Sequence, residues 1–502
     1  MSGLKLPNMY FQALDGGWGL WYDDAMFYGR EKEMDSLTRL WRKRTASFVT
    51  CRGRRRIGKS RLIEEFAAKS DCRFIEIAGL APRQKMTNAD QLANFAAQLS
   101  SQSDLPASIG PKSWAEAFAF LHSAIRDAER TIVLLDEVSW MGKYDPDFAG
   151  MLKTAWDTQL KRHDKLVLVV CGSVSTWISR NILESSAFAG RTSLNLTLDE
   201  LPLADCARFW GRNPKRLSAR DILDVLSVTG GVPKYLEEID PSASADENIR
   251  RLCFVPDGPL VEEFGQIFSD VFEDSASAKK DILRALASGA MTAVALAESL
   301  SLDRNGHLTR HLQELEAAGF VSCDCGINPE TGRPAKIGHY RIRDNYTRFY
   351  LHHVEPRMAA IRAGSFAFES LERLPGWQTI LGLQFETLVV NHFRELLPIL
   401  NPGGSLILSA APYRKSARDG TPGVQIDLLL QMRNAVELVE VKRKAFIDDS
   451  VEDDVAQKIA RLPLKGRKSV RTALVYEGEL SPSIRENGYF DALVPFGSLV
   501  GL

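Results

Sequence analysis

Apolar and polar positions along the chain fall into three patterns. Short, nearly continuous apolar runs stand at Ala46-Ser-Phe-Val-Thr50, Arg73-Phe-Ile-Glu-Ile-Ala78, Thr131-Ile-Val-Leu-Leu-Asp136 and Lys165-Leu-Val-Leu-Val-Val-Cys171. Runs of this length predict strands buried on both faces, as in a parallel α/β sheet. Stretches with helical spacing, 61–69 and 113–130, separate them, and 205–210, 218–228 and 246–270 predict a helical lid. A Pro/Ser/Ala segment at 240–246 divides the lid like a hinge. A second pattern covers 276–355. Helices are predicted at 279–288 (Ile282, Leu283, Leu286, Ala287), 291–300 and 306–319 (Leu308, Leu312, Leu315, Ala318), with strands at 320–323 and 339–343. Three helices and a hairpin predict a winged helix. The third pattern, beyond 365, has a helix at 382–393 and two strands, 424–431 and 435–442, joined at Arg433-Asn434.

The first strand runs into Gly53-Arg54-Arg55-Arg56-Ile57-Gly58-Lys59-Ser60, and Arg61 opens the following helix. This fits G-x-x-x-x-G-K-[ST], a loop whose amides point inward at phosphate. Lys59 is expected on the β/γ-phosphates and Ser60 on a bound Mg²⁺. The backbone does the binding, so the three arginine side chains are free to reach the lid or another domain. Asp136 and Glu137 end an apolar strand, the Walker B pattern. Asp136 is expected to hold Mg²⁺ through water, and Glu137 to act as general base on the attacking water. Ser173, ending the strand that should lie between these two, is the candidate γ-phosphate sensor. Arg180 and Arg191 are candidate γ-phosphate arginines, in cis or from a neighbouring subunit of a homo-oligomer.

Phe27-Tyr-Gly29-Arg30-Glu31, Arg55-Arg56-x-Gly58-Lys59-Ser60, Asp136-Glu137, Gly172-Ser173 and Gly230-Gly231-Val-Pro233-Lys-Tyr235 occur in this order. Together they resemble the archaeal-type ATPase family of the STAND branch of AAA+-like NTPases, also found in bacteria. The resemblance spans about 27–245 and implies ATP as ligand. It also implies that Gly29, Arg30 and Glu31 pack near the adenine, and that Gly231 and Pro233 close over base and ribose. Where the family often has Gln two residues beyond Asp-Glu, this chain has Ser139.

In the middle unit, the exposed face of the third helix mixes Arg310, His307 and His311 with Glu314 and Glu316. A DNA-reading and a structural winged helix both remain open, since groove readers are usually more basic. His307 and His311 have i,i+4 spacing but no third metal ligand. Asp344-Asn-Tyr346-Thr-Arg348-Phe349 resembles the segment that links winged helix to tail in many of these ATPases.

In the tail, Glu386 lies on a helix, Asp427 on one apolar strand, and Glu440 and Lys442 share a face of the next. An acid followed by Asp-x₁₂-Glu-x-Lys resembles the PD-(D/E)XK nuclease superfamily. That implies Asp427 and Glu440 as Mg²⁺ ligands, Glu386 as a further ligand, Lys442 as the residue positioning the attacking water, and Gln457 as a fourth-motif glutamine. Lys442-Arg-Lys444, Arg414-Lys415 and 465–471 supply positive charge for a phosphate backbone.

The sequence has 502 residues, 45% hydrophobic and 25% charged, with net charge −1. Such a length calls for several domains, divided here as an N-terminal extension (1–26), ATPase core (27–202), lid (203–275), winged helix (276–355) and nuclease-like tail (365–502). Near-neutral charge means that contact with DNA must come from local patches. Seven scattered cysteines without C-x-x-C pairs predict reduced thiols and a cytoplasmic protein. No basic segment followed by an apolar run opens the chain, and no apolar run reaches membrane-spanning length, so neither signal peptide nor membrane is expected. The expected function is an ATPase controlling a Mg²⁺-dependent DNA nuclease. The alternative is a regulatory ATPase whose inert tail only binds DNA or protein.

Overall fold

Each apolar run preceding residue 172 becomes a strand in the computed structural model, which describes residues 27–502 apart from 44, 105–109, 174, 212–217, 273–274, 303–305, 367–369, 418–421 and 465–467. The N-terminal extension 1–26 and the basic residues around Lys465 lie outside the described residues.

Strands β1 (Ser47–Gly53), β2 (Arg73–Ala78), β3 (Thr131–Asp136), β4 (Leu166–Gly172) and β5 (Thr192–Leu198) form an all-parallel sheet of order β2-β3-β4-β1-β5. The strand ending near Ser173 thus lies between the P-loop and Walker B strands, as expected. Both faces are buried: one core gathers Phe48, Val133, Leu168 and Trp114, the other Val49, Ile132, Val169 and Leu62. Burial on both sides is why these strands read as unbroken apolar runs.

The segment expected as a lid forms helices that include Leu203–Ala207, Ala219–Thr229, Ala245–Cys253 and Glu263–Phe272. The expected helix 246–270 is therefore two helices. Ser244 and Glu247 form a capping box at the start of the first, and the second carries the acids that meet the P-loop.

Helices Ala276–Ala287, Ala293–Ser299 and Gly306–Ala317 pack beside a small sheet, β6 (Met291–Thr292), β7 (Val321–Asp324) and β8 (His339–Ile342), in the order β6-β8-β7. This is the winged helix. In the tail, β9 (Ile407–Lys415), β10 (Val424–Met432) and β11 (Ala435–Ile447) form an antiparallel meander. Strands β12 (Ser469–Leu480) and β13 (Ala492–Pro495) extend it in parallel, and helix Ser450–Arg461 makes the β11–β12 crossover.

One apolar cluster runs from Leu226 of the lid through Leu283 and Leu315 of the winged helix to Leu381, Leu428 and Val494 of the tail. The three units share this core.

Candidate functional site

The P-loop is shaped by two glycines at positive φ. Gly53 has φ 154°, and a Cβ there would stand 2.5 Å from the Leu198 carbonyl. Gly58, at φ 84°, opens helix Lys59–Lys69, whose first-turn amides favour an anion. Lys59 is buried, and its ammonium donates to the Gly53 and Arg54 carbonyls at 3.2 and 3.0 Å. Arg30, also buried, donates to the Ile57 and Asp199 carbonyls at 3.1 and 2.6 Å, and so braces the loop against the end of β5.

The Walker B acids close on this loop. Ser60 Oγ donates to Asp136 Oδ2 at 2.6 Å, and the Glu137 amide donates to Asp136 Oδ1 at 2.8 Å. Glu137 itself adopts φ 47°, a strained conformation for a side-chain-bearing residue that turns it off the strand end. Ser173 Oγ reaches both Glu137 carboxylate oxygens, at 3.0 and 2.8 Å, and its amide donates to Oε2 at 3.3 Å. The predicted sensor thus grips the predicted base.

A cavity of about 510 Å³ opens in front of these residues. Its phosphate end has Ile57, Gly58, Lys59, Ser60, Arg61 and Glu137; the other end has Phe27, Tyr28, Leu201, Phe209 and Pro233. Tyr28 and Phe209 meet edge to face at 5.0 Å, and the Arg208 guanidinium lies 4.4 Å over the Tyr28 ring. Such an aromatic wall suits a purine. Of the residues expected near the base, Arg30 and Pro233 line the cavity. Gly29 packs instead against Leu201 and Asp205, Glu31 is exposed, and Gly231 donates its amide to Glu200 at 3.1 Å. Phe209 also lines the cavity, and no local signal in the sequence marks it.

The three loop arginines reach away from the loop. Arg54 meets Asp344 at 2.5 Å and Glu200 at 3.9 Å, Arg55 pairs with Asp270, and Arg56 forms a bidentate pair with Glu263 at 2.8 and 3.1 Å. Burial works against the charge on Arg54, but Asp344, Tyr235 and Glu200 more than offset it. Of the candidate γ-phosphate arginines, Arg191 is held bidentate by Asp157 and Arg180 is exposed; neither lines the cavity.

Residues 27–239 match the family described as "ATPase domain predominantly from Archaea", and 278–324 match a helix-turn-helix domain. The chain carries an archaeal-type ATPase domain, which implies nucleotide binding, followed by a helix-turn-helix domain. The "Uncharacterized protein MJECL04" of Methanocaldococcus jannaschii is 25% identical over 433 residues, 85% of this chain and 90% of that one. Among solved structures, the Walker-type ATPase PABY2304 of Pyrococcus abyssi is similar at a TM-score of 0.47 and 18% identity, covering 65% of this chain and 96% of that one. The Aeropyrum pernix ORC2 protein, in ADPNP–ADP complexes, is similar at 0.41 and 14%, covering 68% and 97%.

In the tail, the β10–β11 register pairs Leu428 with Val439, and its continuation sets Asp427 opposite Glu440. Asp427 Oδ2 accepts from the Val441 amide at 2.9 Å. Burial first, then the charges of Glu440 and Glu386, push the Asp427 carboxyl up to about 7. Glu440 is fully buried and held by the Lys442 and Lys458 ammoniums, each at 2.5 Å. The glutamine expected beside the acids is displaced by one residue. Gln457 is exposed and accepts from Arg461, whereas Lys458, one helix position on, turns inward. Glu386 and Asp427 line a second cavity, of about 220 Å³. Among the described residues, no group of three or more His, Cys, Asp or Glu is arranged to hold a metal ion, His307 and His311 included. As arranged, with Glu440 committed to two ammoniums, the tail acids do not fit a divalent ion.

All seven cysteines are free thiols, and no helix among the described residues is long and apolar enough to cross a membrane.

Proposed function

We propose that the chain is an ATP-hydrolysing switch whose winged helix and tail read the state of the P-loop. The linked set Ser60–Asp136–Glu137–Ser173, at the mouth of a cavity with an aromatic wall, carries this reading. Lys59 binds the β/γ-phosphates while the first-turn amides cradle them. Ser60 and Asp136 set two hard oxygen donors side by side and fit Mg²⁺, which would neutralise phosphate charge when bound. Glu137, oriented by Ser173, aligns the attacking water and takes its proton. The base sits against Tyr28 and Phe209 under Pro233. Arg54, Arg55 and Arg56 transmit the change, since each joins the phosphate loop to an acid of the lid or of the segment leaving the winged helix. The winged helix binds DNA, and the protein works in the cytoplasm. Arg180 and Arg191 stand away from the cavity, so either would act as a finger only from a second copy of the chain in a homo-oligomer. The test is nucleotide binding and turnover in Lys59→Ala. Loss of both supports the reading, and unchanged turnover overturns it.

A second reading, that the tail is a nuclease, is favoured by the meander-plus-parallel topology and by Asp427 facing Glu440 beside Lys442 and Glu386. It requires Lys458 to release Glu440, a change the switch would have to supply. DNA cleavage with Mg²⁺ or Mn²⁺ in wild type, lost in Glu440→Ala and Lys442→Ala, supports it. No ATP-dependent cleavage by wild type leaves the regulatory ATPase with an inert tail.

A further inference from the structure

We propose that the seam between winged helix and tail holds a phosphate-binding site made by Arg341 of β8, Arg348 of helix Asn345–Phe349 and Arg414 of β9. All three line the 220 Å³ cavity, together with Glu386 and Asp427. Arg341 is 7% exposed and Arg348 4%. Arg341 Nε pairs with Asp324 at 3.1 Å and Nη2 donates to Asn391 at 3.1 Å, but the buried Nη1 has no acceptor. Arg348 donates only to neutral groups: Gln384 at 2.8 Å, Thr387 at 2.7 Å and the carbonyls of Ile342 and Leu383. Its buried Nε is likewise without an acceptor. Arg414 shares Asp324 with Arg341, at 3.2 Å.

Three guanidiniums therefore have one paired carboxylate, Asp324, among the described residues. A buried cationic donor left unpaired is destabilising, and Arg341 and Arg348 each carry one beside this cavity, so an anion held there would offset both charges. A phosphate group has the charge and the several oxygens to take both, and guanidinium forks match it well. Glu386 and Asp427 line the same cavity, so three guanidiniums face two carboxyls there, and the charge of Glu386 also acts on Arg348 and Arg414. The arginines come from the winged helix, the linking helix and the tail sheet, so the site exists only while these units are docked. No metal takes part, and the site stands whether or not the tail cleaves DNA.

The test uses the full chain in EDTA with its P-loop filled by a non-hydrolysable ATP analogue. Crystals soaked in tungstate, a phosphate-shaped anion, should show an anomalous peak in the cavity, within hydrogen-bonding distance of the Arg414 guanidinium and beside Arg341 and Arg348. In solution, Arg414→Gln, on the more open side, should weaken phosphate binding about tenfold or more. Arg348→Gln should do the same if its circular dichroism stays native. A 5′-phosphorylated oligonucleotide that shows the same Arg414 dependence, where its 5′-hydroxyl counterpart does not, assigns the site to polynucleotide ends. Dependence for inorganic phosphate alone assigns it to a free anion. A water or empty density at saturating tungstate, or unchanged affinity in Arg414→Gln, overturns the proposal. EDTA keeps the outcome separate from that of the nuclease reading.

Discussion

Arg54 of the P-loop binds Asp344 at 2.5 Å, across 290 residues of sequence. Asp344 also caps helix Asn345–Phe349, accepting from the Thr347 amide at 3.2 Å and its hydroxyl at 2.6 Å. A charge on the nucleotide loop is thus fastened to the first turn of the helix that carries Arg348. Asp344 is almost fully buried. Arg54→Ala should therefore cost about 3–5 kcal/mol, the usual loss when one partner of a buried pair is removed. Urea unfolding of Arg54→Ala against the double variant Arg54→Ala/Asp344→Asn checks this. The double variant should recover part of the loss, and equal stability of Arg54→Ala and wild type would contradict it.

Gly53→Ala should abolish nucleotide binding without unfolding the sheet. Its Cβ meets a backbone carbonyl, which cannot rotate away as a side chain can. Equilibrium binding of a fluorescent ATP analogue reads the effect; wild-type affinity would show that the loop shifts at little cost.

Ser173→Ala should lower turnover about tenfold or more, a share of what a positioned general base contributes, while leaving ATP affinity close to wild type. Single-turnover kinetics separate the two quantities. An equal loss of affinity would place Ser173 on the nucleotide rather than on Glu137.

The buried pair Glu200–His392, 3.4 Å apart, ties the end of the ATPase core to the tail. Burial opposes the charge on His392, but Glu200 and Glu395 outweigh it and raise the ring to about 9. Burial likewise opposes the charge on Glu200, yet His392, then Arg54 and Arg343, hold it down to about 2. A histidine with a raised folded value contributes stability that is complete below its unfolded value, near 6.5, and is lost as pH rises through about 9. The glutamate's contribution is complete above its unfolded value of 4.5 and is lost as pH falls toward about 2. Thermal stability of wild type relative to His392→Gln should therefore shrink between pH 6.5 and 9. A difference constant over that range would contradict the pairing.

The ATPase core was legible because its signals are local. A strand buried on both faces reads as an apolar run, and a loop that wraps phosphate needs Gly53 and Gly58 at fixed spacing. The winged helix was legible through Leu308, Leu312 and Leu315, which share one helical stripe and are all buried. Strands β5, β9, β12 and β13 were not foreseen; β5, β9 and β13 lie at sheet edges, and mixed burial in all four weakens the pattern that marks a strand. The partners of Arg54, Arg55 and Arg56 were hidden too, because a long-range ion pair leaves no periodic trace. The same holds for Lys458, which differs from the exposed Gln457 only in the helix face it occupies, and for Arg341 and Arg348, which read as ordinary core and strand residues.

Steady-state ATP hydrolysis by Glu137→Gln beside wild type tests the central claim most directly. Wild type should turn over ATP with Mg²⁺ present, and Glu137→Gln should bind ATP yet hydrolyse it about 100-fold more slowly or worse. Equal rates in the two proteins would contradict the assignment of this site as a hydrolytic one.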